Sequence, residues 1–247
     1  MQIMPPFGYR EVVPFLKTHK VRLPRPGEVP AFVRQGNAIP ISLTEFQVVS
    51  RDYPIVFATN DSSKTFAAVA VLGLGAENLF LSGEGWTGDT YIPAYARRYP
   101  FCMAALTAAN PPRTERLICI EKDFLADDGE GLFDDKGQPS ARWTAIERLL
   151  SEYEADLERT REMCALLADY GLLEPFTMQA TLPKEKGGAS MQLTGMHRVV
   201  EKNLENLNAA QLKNLMRKGL LARTYLHLSS LENFSRLLER KARAAAA

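Results

Sequence analysis

The side chains best suited to recognition chemistry are concentrated near the middle of the chain. We call Thr90–Phe101, with the sequence TYIPAYARRYPF, the Tyr/Arg segment, because it holds three tyrosines and the pair Arg97-Arg98. Guanidinium groups bind carboxylate or phosphate through two parallel hydrogen bonds, and tyrosine rings add contact area at low entropic cost. The segment therefore predicts a surface that binds a peptide or an anionic partner. Together with charged residues upstream, the candidate ligand-binding residues are Glu45, Arg51, Asp52, Tyr91, Tyr95, Arg97, Arg98 and Tyr99.

The same residues allow two other interpretations. In one, the tyrosines are half-buried anchors, and the arginines pair with Glu45, Asp52 or Asp89 to lock a loop. In the other, an acid flanked by arginine and tyrosine transfers a proton, so that the protein is an enzyme or a helper in a modification cluster acting on a peptide or small molecule. The sequence leaves the catalytic residues of such an enzyme unidentified.

Other motifs that would indicate a reaction are missing from the sequence. It contains no G-x-S-x-G elbow, Walker loop, H-E-x-x-H pair or G-x-G-x-x-G after a strand. Gly73-Leu74-Gly75 is typical of a turn between strands, and the acids of 123–137 do not follow the order of a calcium-binding EF-hand loop. Asp134–Gly137 instead predicts a hairpin turn with glycine in the left-handed position. We therefore expect neither a metal nor a cofactor.

Composition bounds the class of protein. The 247 residues are 46% hydrophobic and 24% charged, which is ordinary for a globular protein and excludes collagen-like or disordered chains. A net charge of +1 without a broad basic stripe argues against binding to nucleic acid. The longest apolar stretch, Phe66–Ala76, is too short to cross a bilayer. The three cysteines resemble buried free thiols, and the N-terminus does not resemble a signal peptide, so we expect a cytoplasmic protein, with non-classical export left open.

The pattern of elements predicts an α+β fold. Ser42-Leu43-Thr44-Glu45 has the form of a capping box before a short helix. Periodic apolar residues from Trp143 to Leu167 predict one long helix at about 140–170, with Gly171 after its end, and two further helices follow Asn208. The short runs rich in β-branched and aromatic residues predict a largely antiparallel sheet on which the helices pack. The predicted strands are Pro54–Ala58, Thr65–Leu72, Asn78–Leu81, Phe101–Leu106, Arg116–Ile120, Phe176–Thr181 and Ser190–Val200.

Domain organisation and association follow from the same survey. Residues 1–38 are rich in proline and basic residues, which predicts an N-terminal arm, and residues 39–247 predict a single domain. The apolar side of 143–167 and the C-terminal helices offer more apolar surface than one small sheet needs, which predicts a homodimer. The C-terminal residues concerned are Leu212, Leu215, Leu220, Leu221, Tyr225, Leu228, Leu231, Phe234, Leu237 and Leu238.

Several of these segments together resemble the bacterial SapC family. The resemblance rests on RDYPIVFA (51–58), LGLGAENLFL (72–81), YIPAYARRYPF (91–101), LICI (117–120) and TYLHLSSLENFSRL (224–237), and it extends over about residues 20–240. It implies a link to surface-layer proteins, and to neighbouring TonB-dependent receptors, halogenase-like and cupin-like proteins, but it supplies no catalytic residues. The resemblance thus adds a third possibility, a structural component of a surface layer, to the binding and enzymatic hypotheses.

Overall fold

A computed structural model gives the architecture and describes residues 3–25, 28–59, 65–83, 85–107, 114–181 and 190–244. The strands are Val12–Pro14 (β1), Lys20–Val21 (β2), Ala38–Pro40 (β3), Ile55–Thr59 (β4), Phe66–Val71 (β5), Leu81–Ser82 (β6), Gly85–Trp86 (β7), Phe101–Thr107 (β8), Thr114–Glu121 (β9), Glu130–Gly131 (β10), Leu173–Thr181 (β11) and Ser190–Val199 (β12). The helices are Ala31–Gln35 (α1), Phe46–Asp52 (α2), Ala94–Arg97 (α3), Ala141–Asp169 (α4), Ala209–Arg217 (α5), Leu220–Ser230 (α6) and Asn233–Ala244 (α7).

The largest sheet has five strands in the order β11-β12-β4-β5-β3, and each neighbouring pair is antiparallel. Its centre is apolar because β4 and β5 are rich in β-branched and small residues, which fit a pleated surface covered by helices. Ile55, Val56 and Phe57 of β4 are almost fully buried. This sheet forms the middle of the main hydrophobic core.

A second sheet joins the N-terminal arm to the Tyr/Arg segment. Its order is β1-β9-β8, with Val13 opposite Ile120 and Phe101 opposite the same residue from the other side. A two-stranded ribbon pairs β2 with β10. Residues 1–38 therefore contribute β1 and β2 to two sheets and the first residue of β3 to the five-stranded sheet, while their separation as an arm from a domain at 39–247 stays a prediction.

Helix α4 lies across both larger sheets and matches the predicted long helix. The hydroxyl of Ser140 accepts a hydrogen bond from the backbone N–H of Trp143 over 3.1 Å and so caps the N-terminus. The helix contacts β5 and β8. Most of its predicted apolar side is buried inside the chain, including Leu150, Tyr153 and Leu167. This side of α4 is therefore covered by the protein's own sheets and is not free to pair with a second chain.

The C-terminal part forms three consecutive helices where the sequence predicts two. Helix α5 begins at the predicted cap, since the Asn208 side chain accepts a hydrogen bond from Gln211 N. The predicted final helix is interrupted between α6 and α7. There the buried Asn233 amide donates hydrogen bonds to the carbonyls of Ser50 and Tyr53 at the end of α2. These contacts satisfy carbonyls that the end of α2 leaves without partners, at the point where α7 begins.

The fold class is confirmed as α+β with antiparallel sheets, a long helix and C-terminal helices packed on them. The predicted strand at Asn78–Leu81 differs, because only Leu81 lies in a strand. Asn78 instead binds the loop to α1, with its amide donating to the Val33 carbonyl. The predicted turn at Asp134–Gly137 is present, with Gly137 at φ 74°. Within the described ranges, no helix combines the length and apolar character needed to cross a membrane.

Candidate functional site

The Tyr/Arg segment leads into β8 and is largely buried, with Arg97 as its exposed arginine. Pro93 precedes the single turn of α3, and a cis peptide bond between Tyr99 and Pro100 leads into β8. Proline at such positions fixes the backbone and stops the helix from extending. Helix α3 and its C-cap, Arg98, therefore place Tyr95, Arg97 and Arg98 in different directions, because successive helical residues are rotated by about 100°.

Glu45 anchors the start of the segment. Its side chain is buried and accepts four hydrogen bonds. One oxygen accepts from the backbone N–H and hydroxyl of Ser42 at 2.8 and 2.9 Å, which completes the predicted capping box. The other oxygen accepts from Ala94 N at 2.7 Å and from the Tyr91 phenol at 3.0 Å. Glu45 therefore joins the N-terminus of α2 to the segment and has little capacity left for a ligand.

The end of α2 holds the backbone of Tyr91. The Asp52 carboxylate accepts a hydrogen bond from Tyr91 N at 3.1 Å, and the Tyr53 phenol donates to the Tyr91 carbonyl at 2.6 Å. Burial, and then the negative charge of Glu45, raise the pKa of Tyr91 to about 12. The Tyr91 phenol therefore stays protonated at neutral pH and acts as a hydrogen-bond donor to Glu45, not as a base. Arg51 is exposed and points away, with its Nε 3.5 Å from the Val48 carbonyl.

Arg98 is enclosed by aromatic rings. Its side chain is 3% exposed, and the guanidinium carbon lies 4.1 Å from the Tyr95 ring centroid, 4.9 Å from that of Tyr153 and 5.8 Å from that of Tyr9. Nη1 donates to Glu154 at 3.3 Å. Stacking on ring faces and a buried carboxylate both stabilise a cation removed from water. Arg98 is therefore held inside by Glu154, and not by Asp52, Asp89 or Glu45.

The predicted tyrosines act largely as anchors. The Tyr95 phenol donates a hydrogen bond of 2.6 Å to the Phe7 carbonyl, and its ring is buried. Tyr99 is half-buried, with its ring centroid 5.2 Å from those of Tyr9 and Phe124. Burial and the nearby charge of Glu121 raise the pKa of Tyr99 to about 12. These contacts attach the segment to the N-terminal arm.

Arg97 has the opposite environment from Arg98. It is exposed, its Nε donates to the Ile92 carbonyl at 3.0 Å, and its Nη2 donates to the Tyr91 phenol at 3.0 Å. The guanidinium carbon also lies 5.6 Å from the Tyr91 ring centroid. No carboxylate of the described residues lies within 4.0 Å of its guanidinium nitrogens. Arg97 is therefore oriented by neutral groups while its charge is not paired.

A pocket of about 350 Å³ opens beside Arg97. The Tyr/Arg segment forms one wall, the N-terminal arm a second, and the first half of α4 a third. Most of its residues are apolar, with arginines among them. The lining comprises Leu23, Pro24, Arg97, Arg98, Tyr99, Pro100, Phe101, Arg142, Ile146 and Leu149. Such a combination suits a ligand that has an apolar group and an anionic group.

The structure brings only part of the predicted set together. Arg97, Arg98 and Tyr99 line the pocket, whereas Glu45, Asp52 and Tyr91 lie behind Arg97 and support it, and Tyr95 lies under the segment. Arg51 is on another surface, where its carbonyl accepts from Arg236. The charged residues of the enzymatic hypothesis thus do not converge on this pocket. Within the described ranges, no cluster of three or more His, Cys, Asp or Glu could hold a metal ion.

Sequence reasoning missed the other two walls. Leu23 and Pro24 come from the N-terminal arm, and Ile146 and Leu149 come from α4. Ile146 belongs to the periodic apolar residues from Trp143 to Leu167, and it is half-buried in the structure. The one sequence signal for this wall is that Ile146 and Leu149 are three residues apart and so lie on one face of the helix. This spacing does not indicate what the face contacts. Their approach to Arg97 depends on tertiary packing.

Among comparisons with known proteins, one family model matches most of the chain. No curated protein and no solved structure matches it. The sequence model of the SapC family matches residues 17–237, which include the Tyr/Arg segment, the whole of α4 and most of the described elements. On that match, the chain belongs to the SapC family.

Proposed function

We propose that this protein is a non-catalytic binding or accessory protein whose pocket beside Arg97 binds a peptide that carries a carboxylate and an apolar side chain. The observation that carries the proposal is the state of Arg97. Its guanidinium is fixed by Tyr91 and Ile92 at the edge of a mainly apolar pocket, and it lacks a carboxylate partner among the described residues.

The support from Tyr91 reduces the cost of binding. A free arginine side chain loses rotamer entropy when it binds a ligand. In this protein two hydrogen bonds and the Tyr91 ring already restrict Arg97. The Tyr91 phenol is in turn held by Glu45. A ligand carboxylate therefore meets a guanidinium whose direction is set in advance.

The lining of the pocket favours a peptide over a simple anion. Leu23, Ile146 and Leu149 supply apolar contacts next to the charge. A second lining arginine, Arg142, is already paired with Glu130 at 2.5 Å. One unpaired cation beside apolar walls therefore favours a ligand with a single carboxylate adjacent to an aliphatic or aromatic side chain.

An array of short peptides tests the proposal. Peptides that place Asp or Glu next to Leu or Phe should bind, and the same peptides with Asn or Gln should not. Fluorescence anisotropy then compares the wild type with Arg97→Gln and with Arg217→Gln, which removes one charge from an exposed site on α5. We expect a loss of about tenfold for Arg97→Gln, which is the usual effect of losing one charge-assisted hydrogen-bonded contact. Equal affinity in all three proteins would contradict the proposal.

The biological setting is also part of the proposal. We infer a cytoplasmic accessory role linked to a surface-layer or TonB-receptor system, as the family resemblance implies. Cell fractionation tests the location, because a structural surface-layer component would be found at the cell surface. An enzymatic role would instead require turnover of a bound peptide, which mass spectrometry of the peptide would detect.

A homodimer completes the proposal, and it involves a different surface. Leu212, Met216 and Tyr225 are exposed by 36%, 61% and 48% on α5 and α6. Leu212 and Met216 are four residues apart, so they lie on one face of α5. Light scattering that gives the 27.5 kDa of one chain would contradict the dimer.

A further inference from the structure

The C-terminal helix carries a second arginine cluster, away from the Tyr/Arg segment. Arg236, Arg240 and Arg243 are separated by four and three residues, which places them along one face of α7. With Leu79 and Glu239 they line a surface pocket of about 450 Å³. The sequence alone favours a solvated basic face for these residues. The alternative is an anion-binding site, and the contacts of each arginine decide between the two.

Two of these arginines are positioned by neutral groups. Nη1 of Arg236 donates to the Arg51 carbonyl at 2.9 Å, which fixes it at the end of α2. The guanidinium carbon of Arg240 lies 4.4 Å from the Phe80 ring centroid, and its Nη1 donates to the Thr87 hydroxyl at 3.5 Å. These contacts restrict the directions of the two guanidinium groups, whereas a fully solvated side chain would not be restricted.

The positive charge of the pocket is largely uncompensated. In the part of the chain that the structure describes, neither Arg236 nor Arg240 has a carboxylate within 4.0 Å. Glu239 is the one acid among the described lining residues; it lies 3.7 Å from Arg243, and both side chains are exposed. The neighbouring Lys241 is paired with Glu77. Among the described lining residues, three guanidinium groups and one carboxylate give two net positive charges.

We propose that this pocket binds a phosphate monoester. A phosphate monoester carries about −1.5 to −2 charges at neutral pH, which matches the charge of the pocket. It also offers three acceptor oxygens to the guanidinium groups, whereas one carboxylate has only two. The proposal is independent of the peptide-binding pocket, because it rests on other residues.

Isothermal titration calorimetry at low ionic strength tests this site with inorganic phosphate and with glycerol phosphate. The key variant is Arg236→Gln combined with Arg243→Gln, which leaves the packed Arg240 in place. Its matched control is Lys213→Gln combined with Arg217→Gln, which removes two positive charges from the exposed face of α5. We expect saturable binding of both probes, weakened about tenfold or more by the first pair and little by the second.

One further variant tests whether the guanidinium geometry matters, and lipid vesicles serve as a third probe that distinguishes a soluble ester from a lipid headgroup. Arg240→Lys keeps the charge but loses the planar fork, so it should also weaken binding. Absence of saturable binding to the wild-type protein, or equal weakening by the control pair, would overturn the site. Binding to vesicles that contain phosphatidate without binding of glycerol phosphate would overturn its assignment to a soluble ester.

Discussion

Arg97 and Arg98 are adjacent in sequence, yet Arg97 is exposed with no carboxylate partner in the described part of the chain, and Arg98 is buried against Glu154. The single turn of α3 and its C-cap point the two side chains in different directions, because successive residues in a helix differ by about 100°. Arg98 attaches the segment to α4, and Arg97 remains available at the pocket. On the proposed function, the structural role therefore belongs to Arg98 and the binding role to Arg97.

This division predicts that Glu154 is needed for stability. Glu154→Ala leaves the Arg98 cation buried without its carboxylate, and we expect the free energy of unfolding to fall by about 3–5 kcal/mol. Urea unfolding followed by circular dichroism measures the change. Glu152→Ala is the control, since Glu152 forms an exposed pair with Arg148 on the same helix and should matter little. Equal effects of the two variants would show that Arg98 does not depend on Glu154.

A second prediction concerns the anchor at Glu45. Glu45→Ala removes the acceptor of four hydrogen bonds, so we expect a loss of stability of roughly 3 kcal/mol and weaker peptide binding, because Tyr91 is no longer held. Tyr91→Phe should keep most of the stability and still weaken the binding, since it removes the acceptor for Arg97 and only one of the four hydrogen bonds to Glu45. Unchanged affinity in Tyr91→Phe would contradict the supporting role of Tyr91. Glu205→Ala, an exposed acid elsewhere, serves as the control.

The buried His227 predicts a dependence of stability on pH. Its Nε2 accepts a hydrogen bond from Val199 N at 3.0 Å, which leaves Nδ1 to donate to the Ile55 carbonyl at 2.8 Å. Burial, and then the charge of Arg198, lower the pKa of His227 to about 4 from its ordinary 6.5. The unfolded chain therefore binds a proton in this range that the folded chain does not, so stability falls as pH decreases from 6.5 to 4.

The variant His227→Gln isolates this effect, because glutamine cannot titrate. Between pH 6.5 and pH 4 the wild type should lose roughly 3 kcal/mol more of its unfolding free energy than the variant does. The variant is also expected to be less stable than the wild type at neutral pH, since the ring contact with Phe57 is lost. Parallel pH profiles would mean that His227 is not buried in its neutral form.

The cysteines give a prediction that needs no mutation. Cys102, Cys119 and Cys164 are buried free thiols, and burial raises the pKa of Cys102 and of Cys164 to about 12. Thiols react as thiolates, so none should react rapidly with a chromogenic disulfide reagent in the native protein. All three should react after unfolding in denaturant. Rapid modification of the native protein would show that at least one thiol is accessible.

The features that the sequence predicted well are local. The capping box at Ser42–Glu45 and the turn at Asp134–Gly137 depend on residues three apart, and both are present. Two predicted elements, the strand at Asn78–Leu81 and the uninterrupted last helix, differ from the structure at residues that make long-range contacts. Asn78 leaves its predicted strand because it binds Val33, and the last helix breaks where Asn233 binds the end of α2, 180 and more residues away.

The candidate site shows the same limit. The residue types of the Tyr/Arg segment indicate that guanidinium and phenol groups are present at the site. They do not indicate that Arg97 and Arg98 have different environments. The partner of Arg98 is 56 residues away on α4. The apolar walls come from the N-terminal arm and α4, and no local pattern connects them with the segment. Which arginine is free is therefore a property of the tertiary structure.

The location of the bound peptide is the most direct test of the proposed function. Hydrogen exchange followed by mass spectrometry, with the best peptide of the array at saturation, measures where backbone amides become protected. We predict protection at 97–101 and 142–149, and loss of this protection in Arg97→Gln but not in Arg217→Gln. Protection confined to other surfaces, or protection that persists in Arg97→Gln, would contradict the account.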